Sequence, residues 1–343
     1  MKKRKIVILG FGGTIAMVPD PSGVLKPAKS IKEILAIVPS LQEMADVSFL
    51  ELERLDSTNI NPTHWKKLAL KIKEIHNQAD AIIITHGTDT MTYTAGGVAL
   101  ALGRGLKIPI VFTGSQLPLV AYGTDARFNL ENSMKTALQA CDEKIAEVMI
   151  CFSDSVLRAV RAIKTSEARF PAFDSPAFPH LARIDAVGVH FIPEAFRVER
   201  KTPLKVNAEF QRGILAIDLV PGLEPKILTK ILRLGGVEGL LLKSLGAGNV
   251  PSENEYSLLP VISESVNVLK IPVIVSTKFV GGQTHMDIYE PGKLALDAGA
   301  IPAGDLTDVM AQVKFMWVLA QGLKSAKALS RAINTSIVGE ITT

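Results

Sequence analysis

The stretch from Ala81 to Thr94 reads AIIITHGTDTMTYT. Its β-branched apolar run halts at Thr85, turns on Gly87, and then presents Thr88 beside a carboxylate, Asp89. A second stretch, Ile6 to Ala16 (IVILGFGGTIA), follows the same plan: an apolar run, then Gly12 and Gly13, then Thr14. Short β-branched runs ending in Gly-Thr predict buried parallel strands whose C-terminal ends open into turns. In open α/β sheets, ligands bind outside those carboxyl ends. A buried strand gains nothing from Thr14, Thr88 or Asp89 placed just past its end, so these residues point to chemistry.

Outward from the two turns, strand-like and helix-like segments alternate along the chain, the mark of an α/β protein with a largely parallel sheet. Strands are predicted over residues 5–10, 47–52, 81–85, 110–113 and 147–152, and helices over 30–37, 63–78, 95–103 and 125–141. The helix at 63–78 opens on Asn61-Pro62-Thr63, a start signal. The one at 95–103 is rich in Ala and Gly, as suits a helix packed close to a sheet. The second half repeats the style, with strands over 213–218, 239–243 and 273–276 and helices over 224–234, 256–269 and 305–323. From about residue 190 to 212 the chain carries Pro and mixed charge without a sustained period. The expected organisation is therefore an N-terminal α/β catalytic domain over 1–190, a linker over 191–212 and a smaller C-terminal α/β domain over 213–343.

Composition narrows the function classes. At 343 residues the chain is long enough for two cores, and its 47% apolar residues place it among globular proteins. No window is long and charge-free enough to span a bilayer, so no membrane association is expected. The net charge of +4 comes from scattered residues rather than a basic stripe, which argues against a nucleic-acid partner. Cys141 and Cys151 are the only two cysteines, lack metal-ligand spacing, and suit a reducing, cytoplasmic setting. The start, MKKRKIVILGFGGT, imitates a signal peptide, but its apolar run is short and no small-x-small cleavage site follows. A first strand behind a solvated tail is the expectation.

The GFGGT run lacks G-x-G-x-x-G spacing, and the turn-rich PDPSGV run from Pro19 replaces the helix that a dinucleotide site requires. No phosphate loop is present either. A Gly-Gly pair before Thr14 instead lets the backbone turn sharply and approach a ligand with the hydroxyl exposed. A hydroxyl is a poor nucleophile and needs a proton acceptor held nearby. No G-x-S-x-G elbow exists here, so a lysine is one option. Lys164, in VLRAVRAIKT (Val156 to Thr165), is the candidate, although that segment also reads as a solvated helix with three basic residues. His86 precedes the turn Gly and reads as structural, His285 reads as a surface histidine, and Asn249 in GAGN reads as a turn residue.

Taken together, GGTIA at Gly12–Ala16 and HGTDTM at His86–Met91 resemble the two signature motifs of the bacterial-type L-asparaginases, which are threonine amidohydrolases. DSTNINPTHW from Asp56, TGSQLP from Thr113, DARFNL from Asp125, LRAVRAIK ending at Lys164, AFDSP from Ala172 and GAGNVP from Gly246 also fit, across residues 5 to 330. The wording is nearest the cytoplasmic type I branch. The resemblance implies a two-domain asparaginase-like α/β fold and hydrolysis of L-asparagine to L-aspartate and ammonia, with weaker action on glutamine. It implies Thr14 as the nucleophile of an acyl-enzyme and Thr88, Asp89 and Lys164 as the proton-handling group. It further implies that Asp56, Ser57, Thr58, Gly87, Thr88, Asp89, Ser115 and Gln116 bind the small-molecule substrate, with Asn249 approaching the site of an adjacent protomer in a homodimer or homotetramer. No cofactor and no metal is expected.

One position departs from the family pattern. Members carry a Tyr in the loop after the nucleophile, where this chain has Val24, and none of its four tyrosines lies between Thr14 and Ser30. Two alternatives follow. The chain resembles the amidase component of a tRNA-dependent amidotransferase, which normally carries an extra N-terminal domain for which strand-forming Lys5 leaves no room. Val24 also motivates a non-catalytic, amino-acid-binding homologue.

Overall fold

The computed structural model describes residues 3–13, 15, 38–197, 203–323 and 325–342, and the backbone alone at 17–19 and 25–27. Thr14, Val24 and the helix expected over 30–37 lie outside the described residues. The chain divides into two compact units, Met1–Ala208 and Glu209–Thr343. The division falls inside the stretch 191–212.

Among the described residues the first unit carries the strands β1 (Lys5–Phe11), β2 (Met17–Pro19), β3 (Leu25–Pro27), β4 (Asp46–Glu53), β5 (Ala81–Thr85), β6 (Ile110–Thr113), β7 (Val148–Phe152), β8 (Ser155–Arg158), β9 (Ile163–Lys164), β10 (Phe173–Asp174), β11 (Ala182–Ile184) and β12 (Val189–Phe191). Eight of them form one sheet in the order β12-β11-β8-β7-β6-β5-β1-β4. From β4 to β7 the pairing is parallel, and from β7 to β12 it is antiparallel. Every residue of β5, β6 and β7 is buried, which is why these strands read as unbroken apolar runs. In the parallel part the chain passes from β1 to β4 on one side and then crosses to β5 on the other. The strand order therefore reverses between β1 and β5, and open α/β sheets place their ligand crevice at the carboxyl ends of such a pair.

Helices cover the sheet. The helix Pro62–Ile75 begins with Asn61 accepting the Thr63 N–H (3.0 Å) and His64 Nδ1 accepting the Asn61 N–H (3.1 Å), a reciprocal cap that the sequence announced. It buries Trp65, Leu68, Ala69, Ile72 and Ile75 along one stripe. Trp65 lies flat against Gly97, where a Cβ would come 3.0 Å from its ring. The helix carrying Gly97 runs over Met91–Leu102, starting before the expected Ala95. Thr92 and Thr94 are poor helix formers in isolation, but both are fully buried here and packing overrides propensity. A third helix, Ala126–Asp142, packs Leu130, Met134, Ala137 and Ala140 against Ile6, Ile8, Ile83, Val111 and Met149, on the opposite face of the sheet. The segment with three basic residues is not a solvated helix. Arg158 ends β8, Arg161 sits in a 3-10 turn, and both are buried.

Arg158 is neutralised in place by Glu147, through Nε–Oε2 at 2.7 Å and a second nitrogen–Oε1 contact at 3.0 Å, with the guanidinium between the rings of Phe178 and Phe196. The pair ties the start of β7 to the end of β8, and Glu147 also accepts the main-chain N–H of Phe196. The stretch around Arg197 is held by the same region through a bridge to Ile145.

The second unit carries β13 (Ile214–Asp218), β14 (Gly239–Ser244), β15 (Val273–Thr277) and β16 (Ile301–Pro302) as a parallel sheet in sequential order. Its helices are Pro225–Arg233, Leu259–Asn267, Glu290–Asp297, Asp308–Leu319 and Ala326–Ile333. The helix expected over 305–323 starts at Asp308 because Thr307 caps it, accepting the Met310 N–H at 3.1 Å. The one expected over 256–269 breaks into a 3-10 turn, Asn254–Tyr256, and the helix Leu259–Asn267 with Pro260 in its first turn. Lys314 and Glu340 form a fully buried ion pair at 2.7 Å. Glu340 also accepts the N–H groups of Ile337 and Val338, and Lys314 donates to the Thr335 carbonyl. Among the described residues, no helix is long and apolar enough to cross a membrane.

Glu147→Leu strands a buried guanidinium, so it is expected to cost about 3–5 kcal/mol. Glu147→Leu with Arg158→Leu should recover most of that. Urea unfolding of the two variants beside the parent measures both.

Candidate active site

β1 and β5 are neighbours in register, with Gly10 opposite Thr85, so their carboxyl-end turns emerge side by side. The β1 pairing with β4 shifts register between Gly10 and Phe11, and the chain then turns through Gly12 and Gly13 at φ +81° and +96°. Neither position admits a side chain. A Cβ on Gly12 would fall 2.0 Å from the Leu55 carbonyl oxygen, and one on Gly13 would fall 2.4 Å from the Gly87 nitrogen. Gly13 donates its own N–H to Leu55 at 3.3 Å. On the facing turn, a Cβ on Gly87 would meet the Ser57 side chain at 2.6 Å. Thr90 Oγ1 donates to the Ser57 carbonyl at 2.7 Å. Three turns, after β1, β4 and β5, thus meet at glycines that have no room for a side chain of their own.

His86 underlies this contact. It is fully buried, stacks on Phe11 with centroids 5.6 Å apart and lies near Phe112. Nδ1 is 2.7 Å from the Gly87 carbonyl, which only accepts, so the proton resides on Nδ1. Nε2 then accepts from Thr94 Oγ1 at 2.9 Å. Burial pushes the imidazole pKa down to about 4. His86 is a neutral structural group, as its position before the turn glycine suggested.

Beyond Gly87, Thr88 and Asp89 project toward Lys164. Lys164 Nζ donates to Thr88 Oγ1 at 2.8 Å and to Asp89 Oδ1 at 2.6 Å. Lys164 reaches there from β9, which pairs with β10 (Phe173 opposite Lys164), and Thr165 N–H closes that hairpin on the Ala172 carbonyl at 2.8 Å. Thr88 and the Lys164 side chain are largely buried, whereas the Asp89 side chain is 57% exposed, leaving carboxylate oxygen open to solvent. Thr88 Oγ1 also donates to Gln116 Oε1 at 3.4 Å, and Gln116 Nε2 donates to the Arg169 carbonyl at 3.1 Å. Ser115 is buried and turned inward, donating to the Leu117 carbonyl at 2.5 Å.

Asp56 is exposed beside Ser57. Its Oδ1 accepts the Thr58 N–H (2.9 Å) and hydroxyl (2.7 Å), which hold its carboxyl below the usual carboxylate range. Asn249 belongs to the second unit, in a turn where its N–H returns to the Leu245 carbonyl at 2.8 Å. The first unit therefore gathers Ser57, Gly87, Thr88, Asp89, Lys164 and Gln116, while Thr14 follows the placed Gly13 in sequence. Sequence reasoning assigned no role to Asp125 or Asn129, which grip the Gln116 loop. The available signal was Thr124, a hydroxyl able to cap the following helix and so release the adjacent aspartate. Among the described residues, no group of three or more His, Cys, Asp or Glu side chains could hold a metal ion.

A family model described as "Asparaginase, N-terminal" matches residues 5–197, and one described as "Glutaminase/Asparaginase C-terminal domain" matches 214–332. The chain belongs to the asparaginase family. It is 33% identical to the L-asparaginase of Thermococcus kodakarensis over 98% of this chain and 99% of that protein. The solved thermostable L-asparaginase of that organism superposes with a TM-score of 0.89 at 31% identity, covering 99% of each chain. The chain is also 29% identical to a component of the glutamyl-tRNA(Gln) amidotransferase of Aeropyrum pernix, over 99% of this chain and 80% of that protein. Membership in this asparaginase family supports amide hydrolysis as its general chemistry.

The neutral His86 makes stability depend on acid. With a folded pKa of about 4 against 6.5 for the free side chain, the unfolded chain takes up a proton first as the pH falls. The stabilisation is whole above pH 6.5 and disappears as pH drops toward 4, amounting to about 3 kcal/mol. His86→Gln should flatten that acid limb, measured as unfolding free energy against pH for parent and variant.

Proposed function

We propose that this chain hydrolyses L-asparagine to L-aspartate and ammonia, with Thr14 as nucleophile and a Thr14-bound acyl-enzyme as intermediate. The observation that carries the reading is Lys164 Nζ at 2.8 Å from Thr88 Oγ1, on a turn whose Gly87 packs against Gly13. One peptide bond beyond Gly13, the Thr14 hydroxyl attacks the side-chain amide carbon. Its proton passes through the Thr88–Lys164 pair to the amide nitrogen, which departs as ammonia. Water then attacks the ester carbon, the Thr88–Lys164 pair taking its proton and passing it to the departing Thr14 oxygen, which frees aspartate and restores the hydroxyl. Backbone N–H groups at the glycine turns suit the developing oxyanion.

The open oxygen of Asp89 matches the substrate's α-ammonium, and Ser57 beside Gly87 suits its α-carboxylate. Such a site rejects amides lacking either charge, because its own polar groups would be left unpaired. We place the reaction in the cytoplasm, where the Cys141 and Cys151 thiols, pushed up by burial to about 12 and about 11, stay reduced.

Lys164→Met and Thr88→Val are each expected to lower ammonia release by roughly 10²–10⁴-fold. Thr14→Ala should abolish the esterified intermediate seen by mass spectrometry of acid-quenched enzyme. Variants at Thr14 and Lys164 that release ammonia at the parent rate would overturn the mechanism. Likeness to the amidotransferase component supports a second reading, in which ammonia release depends on a charged tRNA; adding that tRNA to the assay separates the two. If Val24 stands where a proton-relaying Tyr is needed, Val24→Tyr should raise kcat.

A further inference from the structure

The loop that carries Gln116 is held from beneath by a single carboxylate. Asp125 is 7% exposed and stands immediately before the helix Ala126–Asp142, where an aspartate ordinarily caps. It does not cap here, because Thr124 Oγ1 accepts the Ala126 N–H at 3.0 Å instead. The freed carboxylate turns toward the loop. Oδ1 accepts the main-chain N–H groups of Gln116 (3.1 Å) and Leu117 (3.0 Å), while Oδ2 accepts Gln116 N–H (3.0 Å) and Asn129 Nδ2 (3.0 Å). Asn129, fully buried, also donates to the Gly114 carbonyl at 2.9 Å, and its Oδ1 accepts the Ser153 N–H at 2.9 Å. One aspartate and one asparagine thus lock the loop after β6 and the turn between β7 and β8 into one piece.

That lock reaches Thr88. The Arg169 carbonyl only accepts, so the Gln116 amide nitrogen must face it and the amide oxygen must face Thr88. Thr88 Oγ1 already accepts from Lys164, which leaves its own hydrogen directed at Gln116 Oε1. At 3.4 Å this contact lies at the edge of hydrogen-bonding range, where a small displacement of the Gln116 main chain makes or breaks it.

We propose that Asp125 is a positioning residue: by gripping the Gln116 and Leu117 N–H groups it sets where the Thr88 hydroxyl proton rests. The inference depends on the reading of Thr88 and Lys164 as the proton-handling pair. Asp125→Asn replaces one accepting oxygen with a donor that opposes the loop N–H groups. Asp125→Glu keeps the charge but displaces the carboxylate, and serves if the first variant folds poorly.

Either change should lower kcat about 10- to 100-fold, the scale of a misplacement near 1 Å, with KM moving less than threefold. The decisive measurement is a double-mutant cycle with Gln116→Ala on ammonia release, joined to hydrogen exchange at the 116 and 117 amides. If Asp125 acts through Gln116, either Asp125 variant adds little to Gln116→Ala, and exchange at the two amides speeds at least tenfold. A full additional loss in the Gln116→Ala background, or unchanged exchange, overturns the inference. Should the parent release no ammonia from any amide, the hydrolytic reading fails. Exchange at the 116 and 117 amides in the two Asp125 variants then decides whether Asp125 holds this loop.

Discussion

Everything at the candidate site depends on a close approach between two peptide segments: Gly13 after β1 and His86–Gly87 after β5. With Gly13 at φ +96° and its would-be Cβ 2.4 Å from the Gly87 nitrogen, only a residue without a side chain satisfies both backbone angle and space. Parallel register brings the two strand ends level, and β4 takes one extra residue, Leu52, opposite the Gly10–Phe11 step just before the β1 turn. From that contact the other positions follow. Ser57 packs on Gly87 from the β4 side, Gly114 packs on the His86 carbonyl from the β6 side, and Thr88 and Asp89 emerge between them. A neutral imidazole beneath completes the support without placing a charge there.

The first unit uses its charged groups in two contrasting ways. Glu147 and Arg158 are both almost fully buried and saturated by partners, so their contribution is to hold β7 and β8 in one arrangement. Lys164 and Asp89 sit at the mouth, with the carboxylate more than half exposed. The former pair is satisfied within the protein, whereas the latter retains capacity for an incoming group. A buried ion pair is weak grounds for stability but a strong constraint once formed, because loss of either member leaves the other unpaired.

How much of this was legible in the chain depends on whether a feature is local. The apolar runs of β5, β6 and β7 declared themselves because burial on both faces leaves no polar interruption, and the Gly-Thr endings after β1 and β5 marked the turns. The Asn61-Pro62-Thr63 cap was equally plain. The surroundings of Lys164 were not: its strand is two residues long and exists only through pairing with Phe173–Asp174. The residue belongs to the site on family resemblance, and its local sequence suits a basic helix just as well. Asp125 opens the DARFNL stretch behind the cap-forming Thr124, yet what it holds was hidden for another reason. Its partners are main-chain N–H groups, which every residue but proline offers, so no pattern of side chains betrays them. The early start of the helix at Met91 was hidden by threonines whose burial outweighs their propensity.

The buried pair of Lys314 and Glu340 gives the segment 337–340 a structural weight that its lack of helix or strand would not suggest. Glu340 folds the chain back on Ile337 and Val338 while supplying the counterion to a lysine inside the helix Asp308–Leu319. The segment around Glu340 is thereby seated in the interior of the unit. Loss of the Glu340 carboxylate would leave the Lys314 ammonium without its counterion in a buried setting, so the segment that carries it is part of the core.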